Sequence, residues 1–261
     1  MASRTYRDQV IVLKKTKLKE SDLIVTLLAA DGRQIRAVAK GARKPTSSFA
    51  ARLELFSNAQ VSCAQGRSLD IVKEARLVDA HAALRSDVGL AACASPMAEL
   101  LSRSTQDALP VPRLFAMTQE GLHQLEGAQG TARLLVCAAF LLKACAVLGF
   151  RPCLDCCVEC GSSLGVAAGA AGQAPEGPVA FSARAGGALC AHCPAPADAV
   201  RVDARVVAWA STLLGARFAQ IAGFEADEAT ARAVLGLARQ WTAEHIGRLK
   251  SLDMLLAMGV Y

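Results

Sequence analysis

The 261-residue chain is 53% hydrophobic with a formal net charge of +6, enough apolar material for one large cored domain or two to three modules. Its longest apolar stretch, Leu134 to Phe150, is interrupted by Lys143 near its centre, which argues against a membrane span and for a buried helix. Ten cysteines could suit a disulfide framework, but the opening Met1-Ala-Ser-Arg-Thr-Tyr-Arg-Asp carries no apolar export segment and a large core needs no staples, so a reduced, cytosolic protein is expected.

The first eighty residues predict β-structure. Val10-Ile-Val-Leu is one strand and Leu23-Ile-Val-Thr-Leu-Leu another. Asp31-Gly32 turns the chain into Gln34-Ile-Arg-Ala-Val-Ala, where polar and apolar residues alternate. Leu53 to Cys63 and Leu69 to Val78 form a further pair joined at Gln65-Gly66. Five short strands of this kind predict a small barrel of the OB type over residues 1–80.

The basic excess of the chain lies in this same module. Residues 1–80 hold 15 Lys/Arg against 8 Asp/Glu, whereas the remainder holds 14 against 15. Such asymmetry points to a polyanionic partner. The candidates are Lys14 and Lys15 in one run, then Arg33, Arg36, Lys40, Arg43 and Lys44 in a second that ends in Gly41-Ala-Arg-Lys-Pro-Thr-Ser-Ser. Arg36 and Lys40 lie four apart and share a strand face, while Arg33 is off that parity. Aromatics are sparse: Tyr6, Phe49 and Phe56, with Phe49 the best placed to stack on a base and Phe56 a core residue. Binding should therefore be electrostatic, independent of sequence and salt-sensitive.

From residue 81 the periodicity is helical. Ala82 to Ala108 predicts two helices broken at Pro96. A third runs from Val111-Pro112 to about Glu126, and a fourth spans Thr131–Leu148 and stops at Gly149. After a cysteine-rich insert at about 152–195, helices resume at Asp203–Phe218 and Glu225–Ala257, with a break near Gly247.

The insert carries the sharpest motif. Cys157-Val-Glu-Cys160 and Cys190-Ala-His-Cys193 are two knuckles whose two-residue spacing lets both thiolates of a tight turn reach one ion, here Zn2+ held structurally by four thiolates. The 29 residues between the pairs exceed the usual spacing, and the Ala/Gly/Pro-rich stretch Gly165 to Pro178 accounts for the excess. Cys153 and Cys156 form a third such spacing, so six cysteines are ligand candidates; Gly161 directly after Cys160 favours the Cys157–Cys160 pair. Cys63, Cys93, Cys137 and Cys145 sit in apolar surroundings as core residues. His192, inside the second knuckle, reads as a solvent-facing turn residue.

Catalytic signatures are missing. The chain has no phosphate loop ending in Gly-Lys-Ser/Thr, no Gly-x-Ser-x-Gly elbow and no His-Glu-x-x-His helix. A non-enzymatic role is expected. A DNA-binding role leads, ahead of a zinc-ribbon scaffold or transcription-associated adaptor for RNA or protein. A nuclease ranks last, since no acidic cluster is visible.

The order of these parts resembles the RecO family of bacterial recombinational DNA-repair proteins. The resemblance is carried by Asp31-Gly-Arg, Ala39-Lys-Gly-Ala-Arg-Lys, Ser47-Ser-Phe, Leu69 and Glu74, then Leu148-Gly-Phe-Arg-Pro, Leu154-Asp155, Cys157-x-x-Cys160-Gly161, Phe181-Ser, Gly186-Gly187 and Cys190-x-x-Cys193. It departs from the family around Cys93-Ala-Ser-Pro-Met97, where aromatics are common, and in the long insert. The resemblance implies an OB-fold followed by a helical domain, residues 81–261, with a zinc-finger-like insertion. It also implies binding of single- and double-stranded DNA, annealing without ATP, and loading of RecA with RecR onto DNA coated by single-strand-binding protein, in the cytoplasm at the nucleoid. Docking of that protein's acidic, apolar-ended tail would need an apolar pocket with a cation at its rim. Phe115, Leu122 and Phe140, with Arg113, Arg133 or Lys143, are the candidates, although residue by residue their helical spacing favours plain core positions and ordinary surface charges.

Overall fold

The computed structural model describes residues 4–44, 46–47, 49–165 and 177–258. Pro45 and Ser48 of the basic loop, and most of the Gly165–Pro178 stretch, lie outside these residues. Two compact units make up the chain, Met1–Glu126 and Gly127–Tyr261.

In the first unit five strands close a barrel: β1 (Thr5–Leu18), β2 (Asp22–Ala29), β3 (Gln34–Ala39), β4 (Asn58–Ala64) and β5 (Asp70–Asp79). Their order is β1-β2-β3-β5-β4, with β4 returning to β1. All pairs are antiparallel except β3 with β5, the arrangement of an OB-fold. Alternation places Val25, Leu27, Ala29, Ile35, Ala37 and Ala39 inside, with Val61, Cys63 and Val72 opposite. Alanines at many inward positions suit the narrow interior of so small a barrel. The long β1 bends at a register shift between Val12 and Lys14, which lets one strand serve both neighbours and returns Lys14 to the outer face. β4 begins later than its hydrophobic pattern suggests. Phe56 is buried but takes a positive φ of 70° in the turn before the strand.

Three helices complete this unit: α1 (Ala83–Ser86), α2 (Val88–Ser104) and α3 (Arg113–Gly127). The break expected at Pro96 falls instead at Asp87, whose carboxylate caps α2 by accepting the Leu90 N–H at 2.9 Å. Pro96 is buried inside α2. It forfeits a hydrogen bond there, and an interior proline costs about 3 kcal/mol. Burial of Leu90, Met97, Leu100 and Leu101 on the same helix outweighs that loss. α2 packs over β1 and β2, and the outward-facing Ile11, Leu13 and Leu28 are accordingly buried.

The second unit is built around α4 (Ala132–Val147), whose positions from Leu134 to Leu142 are all buried. A helix apolar on every side must be surrounded, and α5 (Ala204–Gly215), α6 (Phe218–Ile221) and α7 (Glu228–His245) pack against it. α4 ends as expected, with the Phe150 N–H donating to Cys145 O at 2.8 Å and the Gly149 N–H to Ala146 O at 3.2 Å. α8 (Lys250–Met258) follows a break at Gly247. A feature not anticipated is a three-stranded antiparallel sheet of β6 (Pro178–Ser182), β7 (Gly187–Leu189) and β8 (Val200–Asp203), with β6 central. Among the described residues no helix is long and apolar enough to cross a membrane.

Candidate metal centre and nucleic-acid interface

Cys157, Cys160, Cys190 and Cys193 converge, with their sulfur atoms within 4.8 Å of one another. The Cys160 and Cys190 sulfurs are 3.8 Å apart. A tetrahedral ion with metal–sulfur bonds of about 2.3 Å requires a sulfur–sulfur edge of about 3.8 Å, so the thiols fit such an ion. Backbone builds this site. The first knuckle closes where the Gly161 N–H donates to Cys157 O at 2.9 Å, with Gly161 at a φ of 72°. The second leaves the end of β7, and the two are joined where the Val158 N–H donates to Ala188 O at 3.0 Å. Upstream, Cys153 bridges to Gly187, through Cys153 N–H to Gly186 O at 3.0 Å and Ala188 N–H to Cys153 O at 2.9 Å. A Cβ on Gly187 would lie 2.0 Å from the Cys153 carbonyl oxygen. No other residue fits there.

The electrostatics favour a thiolate at two of the four positions, while side-chain hydrogen bonds with Cys160 and Cys190 push the Cys193 thiol up to about 12. Backbone N–H groups of Cys160 and Cys190 hold the Cys157 thiol below its ordinary value. The His192 N–H, with help from Cys193, brings Cys190 down to about 5. Donors aimed at sulfur favour the charged form that ligates metal. Cys157 is buried and the other three reach solvent to differing degrees. His192 is exposed, as expected of a turn residue. Cys63, Cys93, Cys137 and Cys145 are buried in apolar cores. Cys153 and Cys156 stay apart from the four-thiol cluster and gather instead with Asp155.

The basic candidates take different positions on the barrel. Lys14 pairs in register with Thr26, and Thr26 with Arg36, so Lys14 and Arg36 flank one row of the outer β1–β2–β3 face. Two rows on, Asp22 accepts the Gly41 N–H at 2.7 Å, which holds its carboxylate below the ordinary range and fixes the turn that presents Lys40. Lys14, Arg36, Lys40, Arg43 and Lys44 are exposed. Arg43 donates to Glu20 O at 2.6 Å and Lys15 pairs with Glu54 at 2.6 Å. Arg33 is committed differently. It meets Asp8 at 3.0 Å, Asp31 at 3.1 Å and Asp107 at 3.4 Å, and its guanidinium lies over the Tyr6 ring. Burial opposes its charge, but Asp31 and Asp8 prevail and hold it above its ordinary value. Phe49 is half-buried against the barrel core.

Sequence reasoning missed the opposite face of the barrel. Arg7, Arg52 and Arg76 line a depression there with Gln9, Gln60 and Glu74. The period-two polar residues of β1, β4 and β5 were its available signal.

The six candidates for a docking pocket are divided between the two units, Arg113, Phe115 and Leu122 in the first and Arg133, Phe140 and Lys143 in the second. Phe115 and Leu122 are buried in the first unit, on α3, and Phe140 in the second, on α4. These three serve as core. Arg113 is exposed. Arg133 donates to Ala128 O at 3.0 Å and Lys143 to Leu214 O at 2.8 Å. Burial, followed by the nearby Arg151, pushes the Lys143 ammonium down to about 8. A groove absent from the expectations lies in the second unit, where Trp209 meets Phe224 edge-on at 5.9 Å with Arg205, Glu225 and Asp227 at its rim.

Two family models account for nearly the whole chain. The model described as recombination protein O N terminal matches residues 1–81, and the one described as recombination protein O C terminal matches residues 85–253. The first coincides with the barrel. The second begins within α1 and takes in α2 and α3, helices of the barrel's compact unit, and the entire four-thiol cluster. With barrel, helices and cysteines in this order, the chain belongs to the recombination protein O family, whose role lies in DNA recombination and repair.

Proposed function

We propose that the protein binds single- and double-stranded DNA through the outer β1–β2–β3 face of its barrel and anneals complementary strands without ATP. The observation that carries this reading is the exposed set Lys14, Arg36, Lys40, Arg43 and Lys44 on one side of an OB barrel, the side through which such barrels track a nucleic-acid backbone. The physical role is charge screening. Lys and Arg neutralise phosphates on two strands, which lowers their repulsion and lets bases find partners. Membership of the family further supports loading of RecA onto DNA coated by single-strand-binding protein, together with RecR.

The four thiols suit a structural Zn2+, which would tie the two knuckles together and contribute folding free energy to the second unit. Four thiolates leave no position for water, so the ion supplies shape and no chemistry. For the tail of single-strand-binding protein, the Trp209–Phe224 groove offers aromatic surface, but Glu225 and Asp227 oppose an acidic peptide there. Arg113, exposed at the start of α3, is the better-placed cation.

The test is an annealing assay with complementary single strands and no nucleotide. Duplex formation should accelerate in proportion to protein and slow as salt rises. Unchanged annealing would remove the mediator reading, and shortened strands would replace it with a nuclease.

A further inference from the structure

A second group of metal-ligating side chains lies beside the four-thiol cluster and shares none of its ligands. Cys153, Asp155 and Cys156 bring two sulfurs and a carboxylate oxygen within 4.8 Å of one another. All three reach solvent. We propose that they form a second, open site for a thiophilic divalent cation, with two thiolates, one carboxylate and a fourth position free for water.

Geometry supports the assignment. Cys153 and Cys156 have the same two-residue spacing as the knuckles, and that spacing lets two thiolates of one turn reach a common ion. The Cys153 sulfur and the Asp155 Oδ1 are 3.9 Å apart. Bonds of about 2.3 Å to sulfur and about 2.1 Å to oxygen at a tetrahedral angle put these atoms about 3.6 Å apart. A small side-chain adjustment closes the difference. The turn itself is held from both sides: Cys153 bridges to Gly187, and Cys156 bridges to Ser163. Leu164 N–H also donates to Asp155 O at 3.0 Å. The backbone bearing all three ligands is thus fixed before any ion arrives, which lowers the ordering cost of binding.

The chemistry follows from the ligand set. Two soft thiolates select zinc or cadmium over magnesium or calcium. Three protein ligands and solvent access make the site weaker and faster to exchange than a closed four-thiolate site. Binding displaces two thiol protons to solvent.

Cadmium is the probe, because its thiolate complexes absorb in the ultraviolet. The full chain, reduced with a phosphine and freed of metal, is titrated with Cd2+. The wild type should take up two equivalents, the second more weakly. Cys153→Ser/Cys156→Ser should lose the second equivalent and keep the first. Cys160→Ser/Cys190→Ser should lose the tight equivalent and keep the weak one, so failure of the four-thiol reading is seen separately. Asp155→Asn should weaken the second step alone. One equivalent in the wild type, retained in Cys153→Ser/Cys156→Ser, overturns the proposal. So does a second equivalent that survives in that variant. Far-ultraviolet circular dichroism of each variant establishes that the fold is intact.

Discussion

At the scale of single residues, Gly187 shows how tightly the knuckles are built. Its φ is 151°, and an added Cβ would lie 2.0 Å from the carbonyl oxygen of Cys153. That oxygen cannot retreat without losing the hydrogen bond from Ala188 N–H. Gly187→Ala should therefore destabilise the second unit by more than about 1 kcal/mol. Gly236 in α7 is the control, since a Cβ there meets nothing within 4 Å. Gly236→Ala should raise stability by roughly 0.5–1 kcal/mol through helix propensity. Urea midpoints of the two variants should move in opposite directions, and an unmoved midpoint for Gly187→Ala would contradict the packing described. The four thiols were legible in the sequence because each pair is a local turn. The ion pairs of Arg33 were not, since Asp8 and Asp107 stand 25 and 74 positions away and only the closed barrel brings them to one place.

At the scale of elements, the long helices and the barrel strands could be read from periodicity and stop signals, while the short strands of the second unit could not. β6, β7 and β8 have five, three and four residues, too few for alternation to register. Pro96 misled for a different reason. Tertiary burial carried the helix through a residue that local preference would use to end it. Helix ends also set the acid response of the second unit. Asp203 caps α5 and Asp227 caps α7, and N–H donors from Arg205 and Thr230 respectively hold both carboxylates below their ordinary value. Asp253 is lowered by Arg248 and Arg239, each at 2.6 Å. A carboxylate with a depressed folded value contributes stability above its unfolded pKa of about 4 and loses it as pH falls through the folded value. The contribution of these three carboxylates to thermal stability should thus be flat from neutrality to about pH 5 and decline below about pH 4. Asp227→Asn keeps a capping oxygen but removes the charge. Its melting temperature should fall less steeply in acid than that of the wild type, and an identical acid slope would show that this cap does not contribute.

At the scale of the molecule, the basic excess is confined to a barrel whose surface is not uniformly available. α2 covers part of the outer face over β1 and β2. Arg33 is spent on three carboxylates, and Lys15 on Glu54. What remains open is the band from Lys14 across Arg36 to Lys40 and the following turn. Affinity for DNA should therefore depend on a few residues and not on net charge. Arg36→Glu/Lys40→Glu should weaken binding and reduce the slope of log K against log salt by about 0.7 per lost contact on single strands and about 0.9 on duplex. Arg151→Glu/Arg201→Glu changes the net charge equally, with both residues exposed in the second unit, and should leave the slope almost unaltered. Arg33→Ala should lower the barrel's stability by about 1 kcal/mol, because Asp8 loses its partner, with a smaller effect on the slope than Arg36→Ala. Fluorescence anisotropy of a labelled single strand across a salt series measures all of these. Equal slopes for the two double variants would mean that binding follows total charge, and that the β1–β2–β3 face is not the interface.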